Sequence, residues 1–420
     1  MPLNILISGS GIAGALFSFW LLRAHPDANI TIVERDPALR LTGASVDIRS
    51  SAVDIIKRMG AEEEIRRQST QEEGMQLVDV DGREIATFRA TGRSDVQSMT
   101  SEYEIFRGEL AKIFLNPITD RVKLIFNESV DHFEQHDDGV DVTFTKSKQM
   151  KKYDLLVAAD GLGSRIRGKM LNTSPQEQLH DEGVHVAYFT IKEDLLQGGR
   201  LAKGFSDVGG RALYLRPDPD PAGRTRAIFM NITTKGDIEM KERLNKTLRE
   251  GNESYMNLME ELFQDMGWLA PETLKGMRQS DDFYCSLFGQ IRSPKLQDGR
   301  VVLLGDAGYA TPGFGTSLAI IGGYVLAGEL LNHPGDFKTA LKGYEDILLP
   351  FVKHTQGGTI GDYAMQLLNP QTQWGIKIRN TILWFVTRTK LDQMAMTVGA
   401  KLGFTEKKVP MPDYPWPAKS

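Results

Sequence analysis

The residues best placed to do chemistry stand near the amino terminus, in Gly9-Ser10-Gly11-Ile12-Ala13-Gly14. They join a short apolar run, Leu3 to Ser8, to a helical stretch, Ile12 to Ala24. Glycines at this spacing, between a strand and a helix, make a loop that can cradle a pyrophosphate. Gly9 permits the tight turn, Gly11 lets a phosphate approach the backbone, and Gly14 lets the helix pack on the strand. Ile12 and Ala13 begin the helix, whose first N–H groups and positive dipole end favour an anion. Glu34 ends the next strand, 20 residues after Gly14, with Arg35 beside it. Its carboxylate can accept hydrogen bonds from a ribose and disfavours a 2′-phosphate, so the expected ligand is FAD or NAD(H).

Two distant motifs choose between these ligands. Asp154 to Ala159 is a buried-strand pattern that runs into Asp160-Gly161, then Ser164 and Arg165. Val301 to Leu304 is a second such pattern, ending in Gly305-Asp306. Between residues 3 and 330 their order and spacing resemble the class A flavoprotein monooxygenases, the family of para-hydroxybenzoate hydroxylase and the tetracycline-inactivating monooxygenases. The resemblance implies non-covalent FAD. It implies that Asp306 bonds the ribityl chain and that Asp160 and Gly161 support the pyrophosphate region. Arg107, in Arg107-Gly108-Glu109-Leu110, matches the arginine that reaches the phosphate or ribityl region, and Val130 the residue whose backbone meets the adenine. Gly43 to Asp47 resembles the segment beside the isoalloxazine, and Gly315-Thr316 the entry to a helix under the flavin ring. The chain departs from the pattern at Tyr309, where members often carry histidine, and in a shortened Ala310 to Gly315 loop.

The resemblance also implies a reaction. NADPH or NADH would bind transiently, since the chain has no second glycine fingerprint of this kind. Dioxygen would add at the flavin C4a, and the hydroperoxide would hydroxylate or epoxidise a small aromatic or polycyclic molecule. The cofactor carries the hard step, so no protein nucleophile is expected. Two other readings stay open: a dehydrogenase or reductase on the same scaffold, and a flavin-bound non-redox cyclase or binding module.

Positioning such a site calls for an α/β chain with a Rossmann-like FAD-binding domain, an inserted antiparallel-sheet substrate domain and a C-terminal helical region. The expected divisions are 1–175 and 291–335 for the first, 176–290 for the second and 336–420 for the third. Helices are expected over Ser50 to Met59, closed by Gly60, and over Ser101 to Leu115, with Ser101 and Glu104 as a capping box. Asp81-Gly82 marks a hairpin. In the middle segment, Arg211 to Arg216 alternates between two faces. Tyr214 with Ala212, or Arg211 with Leu213, faces the flavin, and Tyr214 is the candidate substrate-pocket residue.

Composition narrows the class further. The 420 residues are 41% hydrophobic and 25% charged, with net charge −5, so no basic field invites nucleic acid. The lone Cys285 makes no internal disulfide and suits a reducing, cytoplasmic location. His132 and His136 flank Phe133-Glu134-Gln135, which is not a metal-binding spacing. Glycines interrupt the apolar amino terminus, and the run Thr381 to Val386 is too short to span a bilayer. A monomer or homodimer is expected.

Overall fold

The computed structural model describes residues 2–39, 44–70, 72–89, 103–219, 223–234, 236–357, 368–389, 391 and 411–417. Gly43 and Ser101, both singled out above, lie outside them, as do parts of the helical region expected up to residue 404.

The first sheet has six strands. In spatial order they are β17 (Gln297–Asp298), β18 (Val301–Leu303), β11 (Leu155–Ala158), β1 (Asn4–Ser8), β2 (Asn29–Glu34) and β7 (Val122–Phe126). All pairings are parallel except β17 with β18. The central strands are almost wholly buried, which is why they read as continuous apolar runs. On one face lie α1 (Ile12–Ala24) and α10 (Gly315–Asn332), each apolar nearly all round because each is sunk in the core. The helices α2 (Ser51–Met59) and α4 (Arg107–Leu115) complete that layer. On the other face Leu6, Val33, Leu156 and Leu303 pack against a three-stranded antiparallel sheet. It is built of β10 (Met150–Tyr153), β9 (Gly139–Phe144) and β8 (Val130–His136).

The second large sheet has seven strands. Their order is β16 (Tyr284–Ile291), β12 (Leu179–Ile191), β15 (Thr225–Ile232), β14 (Arg211–Pro217), β13 (Leu201–Asp207), β4 (Gly74–Val78) and β5 (Glu84–Arg89). The β4–β5 hairpin turns at Asp81-Gly82 and joins this sheet by parallel pairing to β13. Residues 74–89 are therefore part of the seven-stranded sheet, although they fall within the expected 1–175 segment. Behind the sheet, α6 (Ile238–Glu250), α7 (Asn252–Phe263) and α8 (Ala270–Arg278) cover Leu213, Leu215, Ala227 and Phe229.

The expected helix over Ser101 to Leu115 is corrected. Glu104–Phe106 is a strand, β6, paired antiparallel with β3 (Ser45–Asp47), and the helix starts only at Arg107. Glu104 is drawn away from a capping role by a buried arginine, described below. After β18 come the short helix α9 (Asp306–Tyr309), α10, and α11 (Phe337–Gln356). The last described helix, α12 (Gln373–Arg388), lies against β5 and β13. The tail folds back onto the first domain: Tyr414 Oη donates to Glu329 (2.8 Å) and Trp416 Nε1 to Tyr324 Oη (3.0 Å).

Candidate active site

Four loops meet at the carboxyl ends of the parallel strands, the place where open α/β sheets bind ligands. In the first, Gly9 has φ +112°, and a Cβ there would stand 2.3 Å from the Ala159 carbonyl oxygen. A Cβ on Gly14 would stand 2.2 Å from the Gly9 oxygen. These two glycines are required by the chain itself. Gly11 is different, because a Cβ there would meet nothing within 4 Å. Its space is kept open at the start of α1, where Ile12 and Ala13 are buried. Glu34 clamps this loop. Its carboxylate accepts from Ser10 N (3.0 Å), Ser10 Oγ (2.9 Å) and Asp36 N (3.1 Å). A carboxylate has about four acceptor positions, so capacity for a ribose hydroxyl is left. Arg35 is exposed just beyond it.

The second and third loops carry Asp160 and Asp306. Burial raises the pKa of Asp160 above the usual carboxylate range, against hydrogen bonding from Ser164. Its Oδ1 is buried without a hydrogen-bond partner, and Gly161 beside it, at φ +82°, also faces open space. An orphaned acceptor next to an open backbone fits a bound polar group. Arg167, fully buried, ties the two loops together by donating to Ala307 O (2.8 Å), Leu162 O (2.9 Å) and Pro175 O (2.6 Å). Asp306 follows Gly305, which has φ +63° and whose Cβ position is 2.7 Å from Ala13 Cβ. The Gly-Asp turn thus lies directly on the start of α1.

Arg107 comes from the fourth loop. Its Nη2 stands 3.5 Å from Asp306 Oδ2, and its backbone N donates to Ala44 O (3.1 Å). Gly315, at the start of α10, is close enough that a Cβ would lie 3.2 Å from Asp306 Oδ1, and Thr316 follows in the same turn. Asp47 reaches this corner through its neighbour, since Arg49 N donates to Ser317 Oγ (2.9 Å). Burial raises the Asp47 pKa while its ion pair with Arg49 opposes the shift, and Asp47 Oδ1 has no partner. Val130 opens β8, buried, two residues after Glu128, whose N donates to Glu34 O (2.9 Å). The described sequence-selected residues therefore lie around one end of one sheet, with Arg35 on its rim.

Across from them stands a face of the seven-stranded sheet. Register pairs Ala212 with Met230, Tyr214 with Ile228 and Arg216 with Arg226. The alternate residues Leu213 and Leu215 face the helices behind. Tyr214 and Ala212 share the opposite face with Arg216 and Tyr188. A cavity of about 20 Å³ separates this face from the β3–β6 ribbon, lined by Ala44, Ser45, Phe106, Tyr188, Arg216 and Ile228. Tyr188 stacks with Tyr284 at 6.4 Å between centroids. Tyr214 is half-buried beside Arg379 and Asn369, and desolvation raises its pKa.

Sequence reasoning missed the ion network here. Arg216 donates to both carboxylate oxygens of Glu72 (2.7 Å each) and also to Glu104 and to Ser45 Oγ. Ser45 Oγ in turn donates to Glu104 Oε1 (2.7 Å). Burial alone would lower the Arg216 pKa, but Glu72 and Glu104 outweigh it and hold the pKa well above the ordinary value. Burial raises the Glu72 pKa against the pull of Arg216. No sequence signal joins residues 72, 104 and 216, because only the tertiary fold brings β6, β14 and the segment before β4 together. Tyr309, where the chain departs from the family pattern, is a core residue. It is buried with its hydroxyl 3.2 Å from Tyr344 Oη and packs on Gly322, between α10 and α11.

Residues 3–191 match the family described as an FAD binding domain. An FAD-dependent monooxygenase of Sarocladium schorii, asL4, is 32% identical, covering 99% of both chains. The monooxygenase CTB7 of Cercospora beticola is 32% identical over 98% of this chain and 97% of its own. Among solved structures, the tetracycline destructase Tet(51) is similar with a TM-score of 0.75 and 28% identity, over 93% of this chain and 98% of that one.

Proposed function

The chain belongs to the FAD-dependent monooxygenases of the class A flavoprotein type, and from that premise we propose that it uses NAD(P)H and dioxygen to place one oxygen atom on a small aromatic or polycyclic substrate. Bound FAD supplies the two-electron chemistry and the activation of oxygen. The chain's residues do the holding and aiming. Gly11 and the N-terminus of α1 take the pyrophosphate, and Glu34 takes the ribose. Asp306 and Arg107 take the ribityl and phosphate region, and Asp160 supports it from the neighbouring loop. The first N–H groups of α10, at Gly315 and Thr316, favour negative charge on a reduced ring system placed against them. The sheet face of Tyr188, Tyr214, Ile228 and Met230 gives an aromatic and apolar floor, with Arg216 as a fixed cation at its edge. Such a floor excludes water and orients a flat substrate by its faces. A polycyclic substrate accords with the likeness to a tetracycline destructase.

The observation that carries the reading is the opposition of two surfaces. The open Gly11 loop and the Arg107–Asp306 pair stand on one side, and the aromatic sheet face on the other. The test is spectroscopic and isotopic. The purified protein is expected to show a flavin spectrum that bleaches with NADH or NADPH in an air-free cuvette and returns with air. Aromatic and polycyclic candidates are then incubated under heavy-isotope dioxygen, and product is expected to carry the label. A flavin that neither nicotinamide reduces, with candidates present, or product that takes its oxygen from water, overturns the proposal.

A further inference from the structure

Among the described residues, ten large apolar side chains are markedly exposed, and seven of them fall between Leu368 and Leu391. Five belong to α12: Trp374 (77% exposed), Ile378, Ile382, Trp384 and Phe385. Trp374, Ile378, Ile382 and Phe385 follow the three-to-four-residue spacing of one helix face. The less exposed side mixes Ile376, Leu383 and Val386 with Arg379, Asn380 and Thr387. There Arg379 donates to Ser206 Oγ (3.0 Å) and Leu368 O (2.7 Å), and Asn380 accepts from Arg379 Nε (3.0 Å). A helix resting on a globular body ordinarily keeps its apolar residues inward, whereas α12 also turns Trp374, Ile378, Ile382, Trp384 and Phe385 outward. The sixteen residues of α12 include Lys377, Arg379 and Arg388 and no acidic residue, in a chain of net charge −5. Lys377 and Arg388 lie on the exposed side, Lys377 6.0 Å from the Trp374 ring.

We propose that the outward face of α12 is a docking surface for an anionic lipid bilayer, on which the helix lies flat in the headgroup region. Tryptophan, phenylalanine and isoleucine beside lysine and arginine, with no acid among them, form the composition of interfacial amphipathic helices. The exposed side of α12 carries Lys377 and Arg388, with no acid in the helix, and is complementary in charge to an acidic membrane. No helix among the described residues is long and apolar enough to cross a membrane, so the contact is peripheral. The inward face bonds Ser206 of β13, the strand next to Tyr214, so the bilayer contact would place the substrate side of the molecule toward the lipid.

The full-length flavin-loaded protein is tested by flotation with vesicles of phosphatidylcholine alone and of phosphatidylcholine with phosphatidylserine. It is expected to float with the acidic vesicles and much less with the neutral ones, and its tryptophan emission to shift to the blue as it does so. Lys377→Gln with Arg388→Gln lowers the partition coefficient by about fivefold for each cation removed. Trp374→Glu with Phe385→Glu abolishes flotation, while the retained flavin spectrum shows that the variant is folded. Protein that stays at the bottom with both vesicle types overturns the proposal. So does a wild-type dimer in solution that Trp374→Glu with Phe385→Glu converts to monomer, because a second copy then covers the face.

Discussion

The two surfaces that face each other across the site are built on different principles. On the proposed nucleotide side, the positions are set by backbone: Gly9 and Gly14 exist because a carbonyl stands where a Cβ would be, and at Gly11 a Cβ would meet nothing within 4 Å. On the substrate side, the positions are set by side chains from strands far apart in sequence, held by the buried Arg216 network. A backbone site recognises what all FAD molecules share, whereas a side-chain site can be rebuilt for a new substrate without disturbing the sheet beneath it.

The largest expected effect probes the network. Arg216→Met leaves Glu72 and Glu104 buried without their cation, and breaking a buried pair in this way costs about 3–5 kcal/mol. Equilibrium denaturation is expected to show that loss. Adding Glu72→Gln and Glu104→Gln should return much of it, since a neutral cluster carries no unpaired charge. An Arg216→Met variant as stable as the parent would mean that the carboxylates are protonated or solvated, and that the substrate side is as tolerant of single changes as an open surface.

This contrast also explains what could be read in advance. Gly9 to Gly14, Glu34, Asp160 and Asp306 were legible because strand, turn and helix are local, and each motif contains its own geometric reason. The Arg216 network was not, because residues 72, 104 and 216 meet only after β6, β14 and the segment leading into β4 are placed. Glu104 shows the competition directly. Its spacing from Ser101 and the following apolar run spell a capped helix, but pairing of β6 with β3 and the pull of Arg216 turn the segment into a strand. The face of β14 was undecidable for the same reason: alternation fixes two faces, and only the helices α6 to α8 behind the sheet say which is inward.

A second experiment tests the backbone side. Gly11→Ala adds a methyl group that touches nothing in the chain, so the stability of the flavin-free protein should be unchanged. The same methyl obstructs a pyrophosphate, and FAD affinity should fall by roughly tenfold or more, about 1.4 kcal/mol, in a fluorescence titration. Gly14→Ala is the contrasting variant, because its Cβ meets the Gly9 oxygen at 2.2 Å and should damage the fold before it damages binding. If Gly11→Ala keeps full affinity, the pyrophosphate does not sit on this loop, and the distinction between packing glycines and ligand glycines fails.

The smallest expected effect lies on the substrate side. Tyr214→Phe removes one oxygen atom from a half-buried ring that bonds Asn369 and faces Arg379. A buried hydrogen bond of this kind contributes about 1 kcal/mol, so thermal or chemical denaturation should register a loss of that size. Flavin affinity should not move, because Tyr214 belongs to the sheet face and touches none of the four nucleotide loops. With a substrate in hand, the same variant separates two roles for the hydroxyl. If it only anchors the Asn369 segment, stability falls and KM stays. If it also meets the substrate, KM rises beyond what the stability loss explains. A fall in flavin affinity would break the comparison, because the two surfaces would then share a residue and could not vary independently.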